Sequence, residues 1–279
     1  MLKGMSLNKK TLIMGVLNVT PDSFSDGGLY VDPQKAVFRA KKMVEEGADI
    51  IDVGGESTRP GSEPVSVDEE IKRVTPVIKE IKNTLPNVLI SIDSYKSEVV
   101  KEALLKGAEI VNSLGGFLFD ERLCLVVKEF DVPIIIYHIK GKPKTMQQIP
   151  TYKDVVKDII DFFEEQINIG VSKGLKKEQF FIDPGIGFGK TVEQNLEIIK
   201  RLTEFKSLGL PIVIGVSRKS HLGKLLQDEL KLGTLPSPTE RLEASLAETA
   251  ITVLNGANIV RTHDVLQTKK FLAVLDRLK

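Results

Sequence analysis

An apolar run that ends in polar residues and is followed by a helical pattern recurs eight times along these 279 residues, with no linker between the repeats. Strands that each lead into a helix have to run parallel, because a helix is what returns the chain to the start of the next strand. Eight such units in under 300 residues predict an α/β fold, a closed (β/α)8 TIM barrel forming a single domain over residues 1–279. A pair of doubly wound domains is the alternative, but no Pro/Gly/Ser-rich boundary divides the chain. The strand patterns are 11–18, 49–53, 88–92, 109–111, 133–137, 180–182, 212–215 and 258–260. The segment 133–137 is apolar at every position, as suits a strand covered on both faces. Between the strands, Asp32, Pro33 and Gly47 bound one helix as N-cap, first turn and stop. Others are expected over 67–83, 97–106, 120–130, from about 155 to before Gly174, and 239–255, with a last one running to Lys279. A short insertion rich in Leu, Gly and Pro extends to Pro238.

Charge and composition narrow the function. Lys plus Arg total 39 against 38 for Asp plus Glu, a net charge of +1, so there is no footprint for nucleic acid or a membrane surface, and any anion site has to be local. The single cysteine, Cys124, excludes an intrachain disulfide, fits a reducing compartment and sits among apolar neighbours as core packing. No apolar run approaches a membrane span of ~20 residues, and Met1 to Lys10 lacks the apolar centre of a signal peptide. A cytoplasmic protein is expected.

The chemistry gathers at the strand ends. Asn18, Asp52, Asp93, Asn112, His138, Asp183, Lys219, Arg261 and His263 all lie at or just past the C-terminal end of a strand, the active-site face of such a barrel. One of them could be a helix N-cap, and Asp93 or Asn112 taken singly fits that bland role, but capping does not explain nine. Three acids and two asparagines suit a flat heterocycle whose edge alternates N–H and C=O groups. Lys219, Arg261 and His263 gather on units seven and eight, where barrels commonly hold phosphate, although Arg261 also fits a rim salt bridge. His221, on the helix beyond that turn, is expected at the surface. The stretch Asp183-Pro184-Gly185-Ile186-Gly187-Phe188-Gly189-Lys190 places an acid before three alternate glycines, which permit positive φ and close approach of the backbone. Lys190 is expected to support that turn or cap the next helix.

Seven ordered segments carry a family resemblance: 15–28, 52–61, 91–93, Lys144-Thr145-Met146-Gln147, 183–190, Ser217-Arg218-Lys219-Ser220 and Arg261-Thr262-His263-Asp264. Over essentially its whole length the sequence resembles the bacterial dihydropteroate synthases. That family joins 6-hydroxymethyl-7,8-dihydropterin diphosphate to p-aminobenzoate, with Mg2+, releasing pyrophosphate and forming 7,8-dihydropteroate for folate synthesis. The resemblance implies that Asp93, Asn112, Asp183 and Lys219 hold the pterin, with Asp52 beside them. It gives Asn18, Arg261 and His263 to the diphosphate, Asn18 also contacting Mg2+, and Phe24, Thr58, Arg59, Pro60, Lys219 and Ser220 to the p-aminobenzoate pocket. Asp93, Asp183 and Lys219 are the expected catalytic residues, a homodimer built through the later helices is implied, and the two loops after strands one and two are expected to close over the diphosphate.

Three positions depart from the family pattern: Ser94 and Ser113 replace the usual Thr and Asp, and Ile139 stands where a methionine commonly packs on the pterin. Ser113 is expected to remove a charge near the site. Two other readings compete with the synthase. A methyltransferase domain of the same barrel type does not need the Ser217-Arg218-Lys219 and Thr58-Arg59-Pro60 pockets, and a non-enzymatic pterin-binding module is expected to lose Asn18, Arg261 or His263. This chain keeps all of them.

Overall fold

The computed structural model describes residues 10–20, 33–57, 62–141 and 151–278. Eight strands form one parallel sheet: β1 (Leu12–Asn18), β2 (Ile50–Gly54), β3 (Leu89–Asp93), β4 (Ile110–Leu114), β5 (Ile134–Tyr137), β6 (Phe180–Asp183), β7 (Val213–Ile214) and β8 (Ile259–Thr262). They follow one another in space as β6-β5-β4-β3-β2-β1-β8-β7. The ring closes between β6 and β7 through one bridge, Ile182 to Ile212, with the Ile182 N–H donating to Pro211 O at 3.1 Å. This is the (β/α)8 barrel expected from the eightfold alternation.

The helices are α1 (Pro33–Glu46), α2 (Val67–Thr84), α3 (Ser97–Leu105), α4 (Leu123–Phe130), α5 (Val155–Ser172), α6 (Val192–Lys200), α7 (Ser220–Glu229), α8 (Leu242–Leu254) and α9 (Val265–Leu278). Several begin on side-chain caps that satisfy amides left free in the first turn. Ser66 accepts from Glu69 N ahead of α2, Asp154 from Val156 N and Lys157 N ahead of α5, and Thr191 forms a capping box with Gln194 ahead of α6. The helix expected from Asp120 begins three residues later. Asp120 accepts from the Ser97 N–H at 3.0 Å instead, and so serves the start of α3. Part of the expected insertion before Pro238 is the helix α7. Asp32 lies outside the described residues.

Strand periodicity sorts the side chains into two cores. One position of each pair faces outward, where Ile13, Ile51, Ile90, Val111, Ile134, Ile182 and Val260 pack beneath the helices. The other faces the barrel axis, where Leu12, Met14, Ile50, Leu89, Ile110, Ile135, Phe181, Val213 and Ile259 form an apolar plug. Two residues further along each strand the inward positions become Val16, Asp52, Ser91, Asn112, Tyr137, Asp183, Gly215 and Arg261. The barrel is therefore filled with hydrocarbon at its floor and turns polar one layer above it.

Candidate active site

A pocket opens on that polar layer. Asn112, Tyr137, Asp183, Ile186, Phe188, Gly215, Lys219 and Arg261 line it. Behind the lining, the Arg261 guanidinium joins two acids: Nε donates to Asp52 Oδ2 at 2.6 Å and Nη2 to Asp93 Oδ2 at 2.7 Å. Asn112 Nδ2 also donates to Asp52 Oδ2, at 3.1 Å, which leaves Asn112 Oδ1 free to accept from a ligand. The Tyr137 hydroxyl donates to Asp93 Oδ1 at 2.8 Å. Neither Asp93 nor Asn112 caps a helix, so the bland reading of both is set aside.

Charge in this layer is unbalanced, because one guanidinium faces two carboxylates. Burial raises the Asp93 pKa above the ordinary carboxylate range; Arg261 pulls it back and Asp52 pushes it further up. Asp183 is raised as well, by burial first, against the Gly185 N–H that donates to its Oδ1 at 2.7 Å. Burial brings Lys219 down to about 8, with Arg261 repelling in the same direction and Asp183 and Asp93 opposing. Its Nζ stands 4.1 Å from the centre of the Phe188 ring.

The glycine turn after β6 works as a scaffold rather than an anion cradle. Gly185, Gly187 and Gly189 all have positive φ. A Cβ on Gly185 would lie 1.8 Å from His138 O, so no side chain fits there. The amides that a phosphate would need are engaged, Gly185 N by Asp183 and Gly187 N by Asn195 Oδ1 at 2.8 Å. Lys190 is buried beneath, donates to Gly185 O at 2.9 Å and Phe188 O at 3.0 Å, and has its Nζ 2.9 Å from His138 Nδ1. Burial holds its pKa well below the usual lysine range, and two backbone carbonyls with one ring nitrogen account for its polar contacts, so Lys190 ties the turn together as a structural post.

Three expectations are corrected by side-chain direction or surroundings, and the charge state of a fourth residue, His263, is added. His138 falls on the outward parity of β5, with its ring 4.9 Å from that of Phe162 on α5, and does not enter the pocket. Ser113 also faces outward, donating to Gly116 O at 2.8 Å, so no charge is missing from the site at that position. His221 is buried instead of lying at the surface, its Nε2 2.9 Å from Glu248. His263 is not cationic: burial, reinforced by Arg261, holds its pKa near 3. Ser217 Oγ accepts from His263 N at 3.2 Å and lies 3.1 Å from Nδ1. Donation of the Ser217 hydroxyl to Nδ1 satisfies both contacts and leaves the imidazole proton on Nε2.

Of the remaining expected residues, Asn18 ends β1 beside Gly54, and Asp52 is fully buried behind Arg261. Ile139 packs with Leu114 and Tyr137 at the rim, next to Phe188. Ser220 is exposed at the start of α7. Phe24, Thr58, Arg59, Pro60 and 144–147 lie outside the described residues. Tyr137, Ile186, Phe188 and Gly215 line the pocket without having been anticipated. Tyr137 and Gly215 could have been found by counting two residues from the apolar plug, at Ile135 and Val213.

The profile of the pterin-binding enzymes matches residues 14–263. A Synechocystis dihydropteroate synthase is 43% identical over 270 residues, 97% of this chain and 91% of that protein. The chain belongs to the dihydropteroate synthase family. Its fold also superimposes on solved members. The Yersinia pestis synthase in a sulfonamide drug complex gives a TM-score of 0.91 at 36% identity, covering 99% of this chain and 97% of that one. The Xanthomonas albilineans synthase in complex with 7,8-dihydropteroate gives 0.85 at 32% identity, covering 98% and 95%. The family resemblance drawn from the ordered motifs is thereby shown, and the pocket described above lies within the matched span.

Proposed function

We propose that this chain condenses 6-hydroxymethyl-7,8-dihydropterin diphosphate with p-aminobenzoate, giving 7,8-dihydropteroate and pyrophosphate in folate biosynthesis. The observation that carries this reading is the inward layer of the barrel, where Asp52, Asp93, Asn112, Asp183 and Arg261 meet Lys219 above an apolar plug. Asp183 and Asn112 Oδ1 offer acceptors beside the Lys219 donor, which matches a pterin edge that alternates N–H and C=O groups. Ile139, Tyr137 and Phe188 supply apolar wall for the ring. Arg261 and His263 Nε2 are the donors for the diphosphate, so the anion competes with Asp52 and Asp93 for the guanidinium.

In the reaction the C–O bond between the pterin methylene and the diphosphate breaks, with its electron pair leaving on the diphosphate oxygen. The methylene becomes electron-poor, and the charge spreads into the ring, where the buried carboxylates of Asp93 and Asp183 favour it. The arylamine nitrogen then bonds to the methylene through its lone pair and loses a proton to water. Lys219, between pterin and second substrate, forms the wall they share, with Phe24, Thr58, Arg59, Pro60 and Ser220 assigned to the p-aminobenzoate side. By extension from the Yersinia pestis relative, this side is also where a sulfonamide is expected to bind.

Mg2+ fits this donor set as an ion delivered with the diphosphate. Among the described residues no group of three or more His, Cys, Asp and Glu is placed to hold an ion by itself. Asn18 Oδ1 offers one neutral oxygen, and an ion that keeps phosphate and water as most of its ligands needs little more. Bound there, Mg2+ would neutralise charge on the leaving diphosphate.

A homodimer accompanies this reading, with α8 as its contact. That helix buries Ser245, Thr249 and Thr252 with Val253 against the barrel while exposing Ile251 and Leu254, so apolar side chains face outward where an ordinary surface helix is polar. A second copy of the chain would cover that face, and I251E with L254E should shift a dimer to a monomer in light scattering. Among the described residues no helix is long and apolar enough to cross a membrane. A cytoplasmic setting accords with the single, buried Cys124.

The deciding experiment incubates the purified chain with the pterin diphosphate, p-aminobenzoate and Mg2+. Dihydropteroate and pyrophosphate in equal amounts are expected. Tight pterin binding without product would replace the synthase reading with that of a binding module.

A further inference from the structure

The polar inner face of α8 needs a reason, because Ser and Thr seldom fill the buried side of a helix. It lies against the turn that carries Lys219. Arg218, one residue earlier, has φ of 60°, a left-handed conformation that a side chain with a Cβ keeps only when its surroundings hold it there.

The Arg218 side chain is paired with Asp264, Nε donating to Oδ2 at 3.0 Å and Nη2 to Oδ1 at 2.5 Å, while its backbone is held from three positions on one side of α8 and its N-terminal approach. Arg241 Nη1 donates to Arg218 O at 3.0 Å and to Lys219 O at 3.3 Å. Ser245 Oγ, one turn on, accepts from the Arg218 N–H at 3.0 Å and donates to Arg241 O at 2.7 Å. Glu248, a further turn on, meets His221 Nε2 at 2.9 Å. Arg241 is buried, and its other donors go to Pro236 O, at 3.0 Å from Nε and 2.6 Å from Nη2. Its hydrogen bonds among the described residues thus all end on backbone carbonyls. A rigid guanidinium fork used this way fixes main-chain geometry and neutralises no acid. Space has been left for it: a Cβ on Gly223 of α7 would come within 2.6 Å of Arg241 Nε.

We propose that Arg241, with Ser245, is a positioning residue for Lys219, holding the Ser217–Lys219 turn in the left-handed geometry that carries the lysine into the pocket. The inference rests on the synthase reading for its kinetic consequence and on geometry alone for its structural one. The groups that bear on Lys219 once it is in place are Asp183, Asp93, Arg261 and the Phe188 ring, with Lys190 and His263 also within electrostatic reach. Loss of the fork leaves the Arg218 backbone free to relax to an ordinary right-handed or extended conformation about its side-chain pair with Asp264, which moves the next residue away from these groups. A displacement of about 1 Å at such a group costs on the order of a hundredfold in turnover.

The test compares wild type, R241M, R241K and S245A in the full chain. Steady-state kinetics are measured with both substrates, thermal unfolding is followed, and the titration of Lys219 is read by competitive acetylation and mass spectrometry across pH. In the wild type Lys219 should titrate at about 8. In R241M the midpoint should rise toward an ordinary lysine value of about 10.4, and kcat/KM should fall on the order of a hundredfold for both substrates. R241K, which keeps donors without the fork, should recover part of both effects. An R241M protein that melts lower but keeps the wild-type Lys219 titration and kcat/KM within about twofold would overturn the proposal, because Arg241 would then only tie down the chain. If R241M does not fold, S245A decides: it removes one bond to the turn, and an unchanged Lys219 titration there overturns the proposal as well. A wild type that makes no dihydropteroate defeats the synthase reading alone, since the acetylation still reports whether Arg241 sets Lys219.

Discussion

Arg261 Nε donates to Asp52 Oδ2 across 2.6 Å, linking the last strand of the barrel to the second through a carboxylate with no solvent exposure. Removing one partner of such a pair leaves the other charged and buried. R261M should therefore destabilise the chain by about 3–5 kcal/mol at neutral pH. D52N combined with R261M should recover part of that loss. The sign with pH follows from Asp93, whose folded pKa already lies above its unfolded value and rises further without Arg261. The folded state then binds the proton more tightly, so the Asp93 part of the deficit opens as pH rises through its wild-type folded value of about 7 and is small below it. Urea unfolding at pH 6 and pH 9 reads both effects, and an equal deficit at the two values would remove the uncompensated-charge explanation.

Lys219 should set the alkaline limb of activity. Its pKa is lowered to about 8, so the ammonium present at pH 7 is lost above pH 8, and kcat/KM should decline there if the ammonium donates to the pterin. K219A should abolish turnover with losses at both substrates, whereas K219R should keep some activity and move the alkaline limb upward. A limb that stays in place in K219R assigns it to another group.

Much of this site is legible in the amino-acid sequence alone, and the part that is not has a definite cause. The eightfold alternation gives the barrel, and the polar strand ends Asp52, Asp93, Asn112, Asp183 and Arg261 do converge. Position at a strand end, however, does not say which way a side chain points. His138 and Ser113 share that position but face outward, because each is one residue out of step with the inward row. Counting by two from the apolar plug excludes both and admits Tyr137 and Gly215. Charge state is harder to read. His263 is neutral because the packed barrel buries it beside Arg261, and depth of burial has no local sequence pattern. Arg241 leaves no local trace either, as its partners at 218, 219 and 236 are backbone carbonyls, which every residue type carries.

His263 should make no inflection in the pH–rate profile between pH 5 and 8, because its pKa is held near 3. Its folded value lies below the unfolded value of about 6.5. The unfolded chain therefore takes up a proton first as pH falls, and the stability that neutral His263 contributes at pH 7 is lost on acidification from about 6.5 toward 3. H263N should flatten that part of the stability curve. In kinetics, H263A should weaken pyrophosphate binding more than p-aminobenzoate binding, measured by isothermal titration. The opposite order would argue against an anion-binding role.

Two glycines with nearly the same φ separate conformational strain from lack of space. Gly209 has φ of +68° and no atom within 4 Å of an added Cβ, whereas Gly185 has φ of +69° with His138 O at 1.8 Å from that position. G209A should cost only the left-handed penalty, roughly 1–2 kcal/mol, and leave activity intact. G185A meets backbone that cannot yield without parting β5 from the Asp183 turn. It should cost more than about 4 kcal/mol or, if the turn shifts to make room, move Asp183 and Phe188 together and abolish dihydropteroate synthesis. Calorimetry and measurement of dihydropteroate formation on both variants distinguish these outcomes. An active G185A of near-native stability would mean that the turn adjusts freely, and that Asp183 is held by something other than the close packing of Gly185 on His138.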